Sequence, residues 1–342
     1  MIQLLVRLST KFNLNKYLIL GSNSFAGASF ANYCIDQNND VVGVNRSTES
    51  SALFLPILDN INKEKYTFYQ LDLNKDSNEI LELIDTFKPD FIIDFAGQGM
   101  VAESWNKPYQ WYQTNIVSKS KIHRFLIGKD YLKKYVRIST PEVYGSNDDL
   151  IDESFPMNPS TPYAISHMAT DLSIFSLYKN FSFPASVGRF ANFYGPHQQL
   201  YRIVPKTIIS ILNNNVLDLH GGGKSIRAFI HSEDVSRGIM KIVDDGQDGE
   251  VYHFSPNDFY TIKDLVMLIC DELNADFEKH TRITRDRAGK DFAYLMSSKK
   301  SLSELEWQCE ISIKDGINQT IDWVKDNLDE INSRSHEYNH KE

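Results

Sequence analysis

Lys16-Tyr17-Leu18-Ile19-Leu20-Gly21-Ser22-Asn23-Ser24-Phe25-Ala26-Gly27 decides the fold of this chain. Four consecutive apolar residues closed by a glycine read as a strand buried on both faces, the kind found inside a parallel sheet. The small residues that follow turn the chain tightly into a helix beginning near Phe25. At such a β–α junction the backbone can approach a pyrophosphate, and the helix N-terminus attracts its charge. Gly21 and Gly27 fit that pattern, whereas the usual middle glycine is Ser24.

Working outward, apolar runs alternate with amphipathic stretches, as in βαβ units. Strands are predicted at Lys16–Leu20, Val41–Val44, Thr67–Leu71, Phe91–Phe95, Tyr135–Ser139 and Ala185–Arg189, with helices opening near Phe25, Ser77, Tyr109 and Thr161. Beyond Asn192 the pattern loosens. It predicts strands at 226–230 and 251–254, and helices at 204–212, 262–273 and 313–327. The fold class is α/β, a Rossmann-type doubly wound parallel sheet with a smaller, mostly helical C-terminal substrate domain. The dinucleotide-binding domain spans 16–192 plus strands from about 226–256. The substrate-binding domain spans 193–225 and 257–330. Residues 1–15 form an N-terminal extension and 331–342 a polar, frayed tail.

At 342 residues, 42% hydrophobic and 24% charged, the chain has the composition of an ordinary globular protein. Its net charge of −9 argues against a nucleic-acid or anionic-membrane surface. Cys34, Cys270 and Cys309 lie far apart with no metal-type pairing, which predicts a reduced, cytoplasmic protein with no metal site. No run reaches the length of a membrane span, and the start of the chain does not resemble a signal peptide.

The edge of the sheet supplies further cofactor candidates. At the end of the second strand, Asn45, Arg46 and Ser47 stand where a carboxylate would accept from a ribose 2′-hydroxyl; an arginine there suits a 2′-phosphate and favours NADP, with NAD as the alternative. Asp72 and Leu73 end the third strand, Asp72 being placed to accept from an adenine amine. Ala96, Gly97 and Gln98 end the fourth, at the carboxyl edge where open sheets bind ligands.

The chemistry is carried by Ser139-Thr140-Pro141-Glu142 and Tyr163-Ala164-Ile165-Ser166-His167. Positions i and i+4 share a helix face, so Tyr163 and His167 point into one site. Removing hydride from a carbinol requires a base for the hydroxyl proton. A phenol of ordinary pKa near 10 needs a neighbouring cation to serve. His167 would contact the cofactor ribose and, if protonated, lower the Tyr163 pKa. Thr140 would bridge the substrate hydroxyl to Tyr163, and Glu142 could take a proton made acidic by an adjacent ketone.

On these motifs, together with Arg189-Phe190-Ala191-Asn192-Phe193-Tyr194-Gly195-Pro196, Gly223 to His231 and Asp286 to Asp291, the chain resembles an extended short-chain dehydrogenase/reductase of the nucleotide-sugar epimerase/dehydratase type. The likeness runs from about Lys16 to Val324. Thr140-x-Glu142 resembles the sugar-nucleotide 4,6-dehydratases, of dTDP-glucose or GDP-mannose type. The resemblance implies a lyase that oxidises C4, eliminates water across C5–C6 and returns hydride to C6. It further implies that Asn192, Arg227 and Arg287 hold the diphosphate of a nucleotide sugar, and that the protein is a homodimer. Three residues depart from the pattern: Ser24 for Gly, Pro141 for Asp or Ser, and His167 for Lys. An epimerase or decarboxylase on the same scaffold, or a non-catalytic cofactor-binding subunit, is the alternative. Lysine restored at position 167 is expected to maintain or raise activity.

Overall fold

The computed structural model describes residues 14–285 and 292–341. Its strands are β1 (Lys16–Leu20), β2 (Asp40–Asn45), β3 (Tyr66–Gln70), β4 (Phe91–Asp94), β5 (Lys134–Ser139), β6 (Ala185–Phe190), β7 (Asn192–Tyr194), β8 (Leu217–His220), β9 (Ile226–Arg227), β10 (Phe229–His231), β11 (Val251–Phe254), β12 (Tyr260–Thr261) and β13 (Thr281–Thr284). Seven of them form one sheet in the order β11-β6-β5-β4-β1-β2-β3. Every pairing in it is parallel. Strand order reverses beside β1, and the Gly21 loop leaves at that switch point, where α/β sheets open their ligand crevice.

The helices are α1 (Phe25–Asp36), α2 (Ser77–Phe87), α3 (Pro108–Tyr112), α4 (Lys119–Leu126), α5 (Pro162–Phe181), α6 (Ile203–Leu212), α7 (Ser232–Asp245), α8 (Ile262–Glu272), α9 (Phe277–His280), α10 (Lys299–Leu305), α11 (Ile313–Asp326) and α12 (Leu328–Asn332). Because strand side chains alternate between faces, the sheet builds two cores. Tyr17, Ile19, Ile93 and Val136 pack with Phe30 and Ile239 on one side. Leu18, Leu20, Ile92 and Tyr135 pack with Ile80, Ile122 and Ile174 on the other. A third core, with Val204, Ile208, Leu265, Ile269, Ile317 and Val324, holds α6, α8 and α11 together.

The strand predicted over 226–230 is broken at Ala228. Its halves join different two-stranded sheets, β9 with β12 and β10 with β7. Of the strands expected to extend the main sheet from 226–256, Val251–Phe254 is the one that does so.

Candidate active site

At the first loop, Gly21 has a φ of +83°, and a side chain there would lie 2.7 Å from the Ala96 nitrogen. A Cβ on Gly27 would sit 2.3 Å from the Gly21 carbonyl. Both positions therefore require glycine. Ser24 has a different task from the glycine expected there. Its Oγ accepts from the Gly27 amide at 3.1 Å as the N-cap of α1, and donates to the Gly21 carbonyl at 2.7 Å. A hydroxyl thus closes the turn from within. Phe25 and Ala26 are buried in the first helical turn.

One cavity gathers Gly21, Ser24, Asn45, Arg46, Asp72, Leu73, Ala96, Gly97 and Gln98, all named from sequence, with Val44, Asn74, Phe95 and Thr114. Ser47 stands beside it, its carbonyl accepting from Asn23 at 3.1 Å. Asp72 Oδ1 accepts from the Asn74 amide at 2.8 Å, so this carboxylate also closes the turn after β3. Asn115 was missed by the sequence reading. Fully buried, it accepts from the Gln98 amide at 2.8 Å and donates to Ser166 Oγ at 2.9 Å, tying the cavity to α5. It lies in a π-helical segment, Gln113–Ser118, a local widening that often marks functional sites. No composition signal announces such a turn.

At the other end of the cleft, Thr161 caps α5 by accepting from Ala164 N at 3.1 Å, with Pro162 in the first turn. The helix buries Ala164, His167, Asp171 and Ile174, one face at helical spacing. Tyr163 and His167 lie with ring centroids 4.5 Å apart. Thr140 caps the short 3-10 turn Pro141–Tyr144, its Oγ1 accepting from Glu142 N at 3.3 Å. Burial, then the Glu142 charge, pushes the Tyr163 phenol up to about 12; the Thr140 hydroxyl and the Arg137 and Arg202 charges pull it back. Tyr163, Thr140 and Glu142 therefore share one environment.

At His167 the surroundings reinforce the neutral state that a histidine ordinarily has at neutral pH. The ring is buried, and Arg137 Nη2 lies 2.9 Å from its Nδ1. Burial, then the Arg137 and Lys119 charges, holds its pKa well below the ordinary 6.5, so the imidazole is neutral. The cation beside it is on Arg137, one hydrogen bond behind the ring.

Of the three residues assigned to a diphosphate, Asn192 and Arg227 are described. Asn192 is exposed at the start of β7. Arg227 Nη1 donates to the carbonyls of Ile226 and Phe292 at 2.7 and 2.8 Å, and the guanidinium covers the Tyr294 ring at 4.3 Å. Arg287 lies outside the described residues.

The tail is not frayed where it is described. Lys206 pairs with Glu337 at 3.1 Å, and Tyr338 meets Tyr201 edge to face. His340 stacks on Trp111. The Lys341 carbonyl accepts from Arg46 at 3.0 Å and Gln98 at 3.1 Å, and its Nζ donates to Ser47 at 3.0 Å. Aromatic contacts to Trp111 and Tyr201, with the Lys341 bonds, bring this polar segment beside Arg46 and Gln98 of the cavity.

Residues 18–320 match the model of the GDP-mannose 4,6 dehydratase family. The chain belongs to that family. It is accordingly an enzyme of the lyase class, a nucleotide-sugar 4,6-dehydratase. The dTDP-D-glucose 4,6-dehydratase of Homo sapiens is 32% identical over 278 residues, 78% of this chain and 77% of that protein. The dTDP-glucose 4,6-dehydratase of Escherichia coli is 28% identical, covering 91% of this chain and 94% of that one. Among solved structures, DesIV of Streptomyces venezuelae, a dTDP-glucose 4,6-dehydratase with NAD bound, superposes with a TM-score of 0.84 at 26% identity, covering 92% of this chain and 98% of that one. Among the described residues no helix is long and apolar enough to cross a membrane.

Proposed function

We propose that Thr140, Glu142, Tyr163 and His167 form the catalytic centre acting on a nucleoside-diphosphate hexose, with a nicotinamide dinucleotide along the Gly21 loop. The observation carrying this reading is geometric: Tyr163 lies against His167 with ring centroids 4.5 Å apart, and Thr140, directly after β5, caps the turn that bears Glu142. Both Thr140 and Glu142 act on the Tyr163 phenol. The residues present fit a dinucleotide. Gly21 and Gly27 leave no room for side chains, the α1 N-terminus opens beside them, and one cavity continues to Asn45, Arg46, Asp72 and Gln98. A bound dinucleotide would supply the acceptor for the C4 hydride and the donor for its return to C6.

Tyr163 takes the proton of the C4 hydroxyl, and Thr140 aligns the two oxygens. The C4 ketone acidifies the C5 proton, which Glu142 takes. Pro141 has no proton to give, so the proton held by Glu142 leaves with the C6 oxygen as water. C5 regains a proton from solvent as C6 receives hydride, and Tyr163 releases the proton it took to solvent. Asn192, Arg227 and Arg287 hold the diphosphate in this reading, since guanidinium groups meet phosphate oxygens bidentately.

DesIV, described with NAD bound, favours NAD here. Arg46 and Ser47, with no carboxylate at the ribose corner, favour NADP. The ratio of the two dissociation constants decides between them. The division into a dinucleotide domain (16–192 with later strands) and a substrate domain (193–225 and 257–330) belongs to the same reading. So does a homodimer. Ile165 and Leu172 are exposed one heptad apart on α5, beside exposed Val117 of the adjoining helical segment. Free Cys34, Cys270 and Cys309 suit a reducing cytoplasm.

Incubation with UDP-, GDP-, dTDP- and CDP-hexoses tests the function. A product lighter by one water is expected from one of them. An isomer of unchanged mass, or loss of carbon dioxide, contradicts it.

A further inference from the structure

Arg137 takes no part in that chemistry, yet it is buried to 1% exposure in the middle of the sheet. It is the fourth residue of β5, between β4 and β6, on the face that packs against α5. Burying an arginine is costly unless its charge is used. Asp94 accounts for only part of it, through the long contacts of Arg137 Nη1 to its carbonyl at 3.5 Å and to its carboxylate at 3.6 Å. Asp94 Oδ2 already receives Lys119 Nζ at 2.6 Å and the Tyr135 hydroxyl at 2.9 Å. One carboxylate therefore serves both Lys119 and Arg137. Burial, then the Arg137 charge, pulls Lys119 down to about 7, which leaves Arg137 as the permanent cation. The close, directional contact of Arg137 is to His167 Nδ1, at 2.9 Å.

A guanidinium can only donate. His167 Nδ1 must therefore be the unprotonated acceptor, which places the ring proton on Nε2. The imidazole is fixed as one neutral tautomer with one donor. We propose that Arg137 is a positioning residue that locks His167 as the Nε2–H tautomer and supplies, through it, the permanent positive charge that favours the Tyr163 phenolate. This rests on the reading of Tyr163 as the base. In that arrangement the cation sits on the strand and the helix carries only a neutral donor. The charge does not titrate in any working range, because arginine stays protonated.

The groups facing this assembly come from every neighbouring element. Asp94 comes from β4, Tyr135 from β5, Lys119 and His123 from α4, and Asp171 from α5 itself. Glu142 from the turn after β5 and Arg202 beside α6 face Tyr163. His123 is held neutral chiefly by its burial, and the Asp94 charge opposes that shift. Of the cations that pull the phenol down, Arg137 precedes Arg202.

The same geometry revises the expectation for His167→Lys. Lysine there would meet Arg137 head-on, with Lys119 behind it, so the single substitution lowers activity. Moving the charge is what should work. Arg137→Gln alone is expected to lower kcat roughly 10- to 100-fold and to move the acid limb of the kcat profile up by about one pH unit, in line with loss of a nearby opposite charge. Arg137→Lys recovers part of the loss. The double variant Arg137→Gln/His167→Lys recovers more than either single variant, because the cation then returns on the helix.

An independent readout is 15N NMR of the histidine rings in the apoprotein, assigned through His167→Gln. The wild type should show a single Nε2–H tautomer at position 167 that does not titrate from pH 5 to 9, as the buried neutral ring requires. Arg137→Gln should show mixed tautomers or a titration. Unchanged ring shifts together with an unchanged pH profile in Arg137→Gln overturn the proposal, and so does a double variant no better than its parents. If no nucleotide sugar is turned over, the assigned function fails while the ring tautomer still tests the Arg137 contact.

Discussion

Two buried charge clusters flank α5, and they are built on different rules. In one, Asp171 Oδ2 accepts from Arg189 Nη2 at 2.9 Å and from Ser139 at 2.8 Å. Arg189 continues to the Tyr144 hydroxyl, and Tyr144 to His253 at 2.7 Å. Its single arginine is matched by a single carboxylate, and it fastens β5, β6, α5 and the Thr140 turn together. In the other, Asp94 faces both Lys119, pulled down to about 7 by burial and the Arg137 charge, and Arg137, whose permanent charge is turned to His167. A balanced cluster explains itself as structure. An unbalanced one has to be supported by its surroundings, and this one lies directly behind the reacting side chains.

The largest effect expected touches both clusters at once. Burial holds His123 and His253 down at about 3 and His231 at about 4, and depresses His167 as well. Each is neutral when folded and protonates near 6.5 when unfolded. The unfolded chain therefore binds more protons below that value. Stability should be complete above about pH 6.5 and fall as the pH drops toward the folded values, by up to roughly 1.4 kcal/mol per unit for each histidine. Urea titrations between pH 7 and 5 should lose several kcal/mol. A flat profile would mean these rings are not buried neutral.

Next in size, Asp171→Ala strands Arg189 and should cost about 3–5 kcal/mol of unfolding free energy. Tyr163→Phe makes the opposite cut. It should reduce kcat roughly 10²- to 10⁴-fold with little change in denaturation midpoint. If Asp171→Ala leaves stability intact, or Tyr163→Phe spares turnover, the division into a structural and a functional cluster is wrong. The smallest effect concerns the tail. Deleting residues 335–342 frees Arg46, Ser47 and Gln98 from Lys341 and should tighten NAD or NADP binding several-fold, read by fluorescence titration. Weaker binding would show that the tail helps to hold the cofactor.

Much of this was readable in the sequence, for physical reasons that can be named. Tyr17-Leu18-Ile19-Leu20 and Phe91-Ile92-Ile93 carry their burial in their composition, and Gly21 carries the backbone conformation that only it accepts. Tyr163 and His167 meet because the helix repeat brings i and i+4 together. What sequence hid depends on distance. Asp94, Lys119, Arg137 and His167 converge because β4 lies beside β5 and both α4 and α5 cover one face, and strand order is not written in any local pattern. Helix α7 escaped notice although its capping and its apolar stripe are ordinary. The course of the tail depends on Trp111 and Tyr201, more than 130 residues upstream.

The most direct test of the Tyr163–Glu142 chemistry follows the hydrogen at C4. With the nucleotide sugar that the enzyme turns over, deuterated at C4, the 4-keto-6-deoxy product should carry that deuterium at C6, while C5 acquires hydrogen from solvent. Deuterium still at C4, or lost to solvent, would contradict hydride return within one active site.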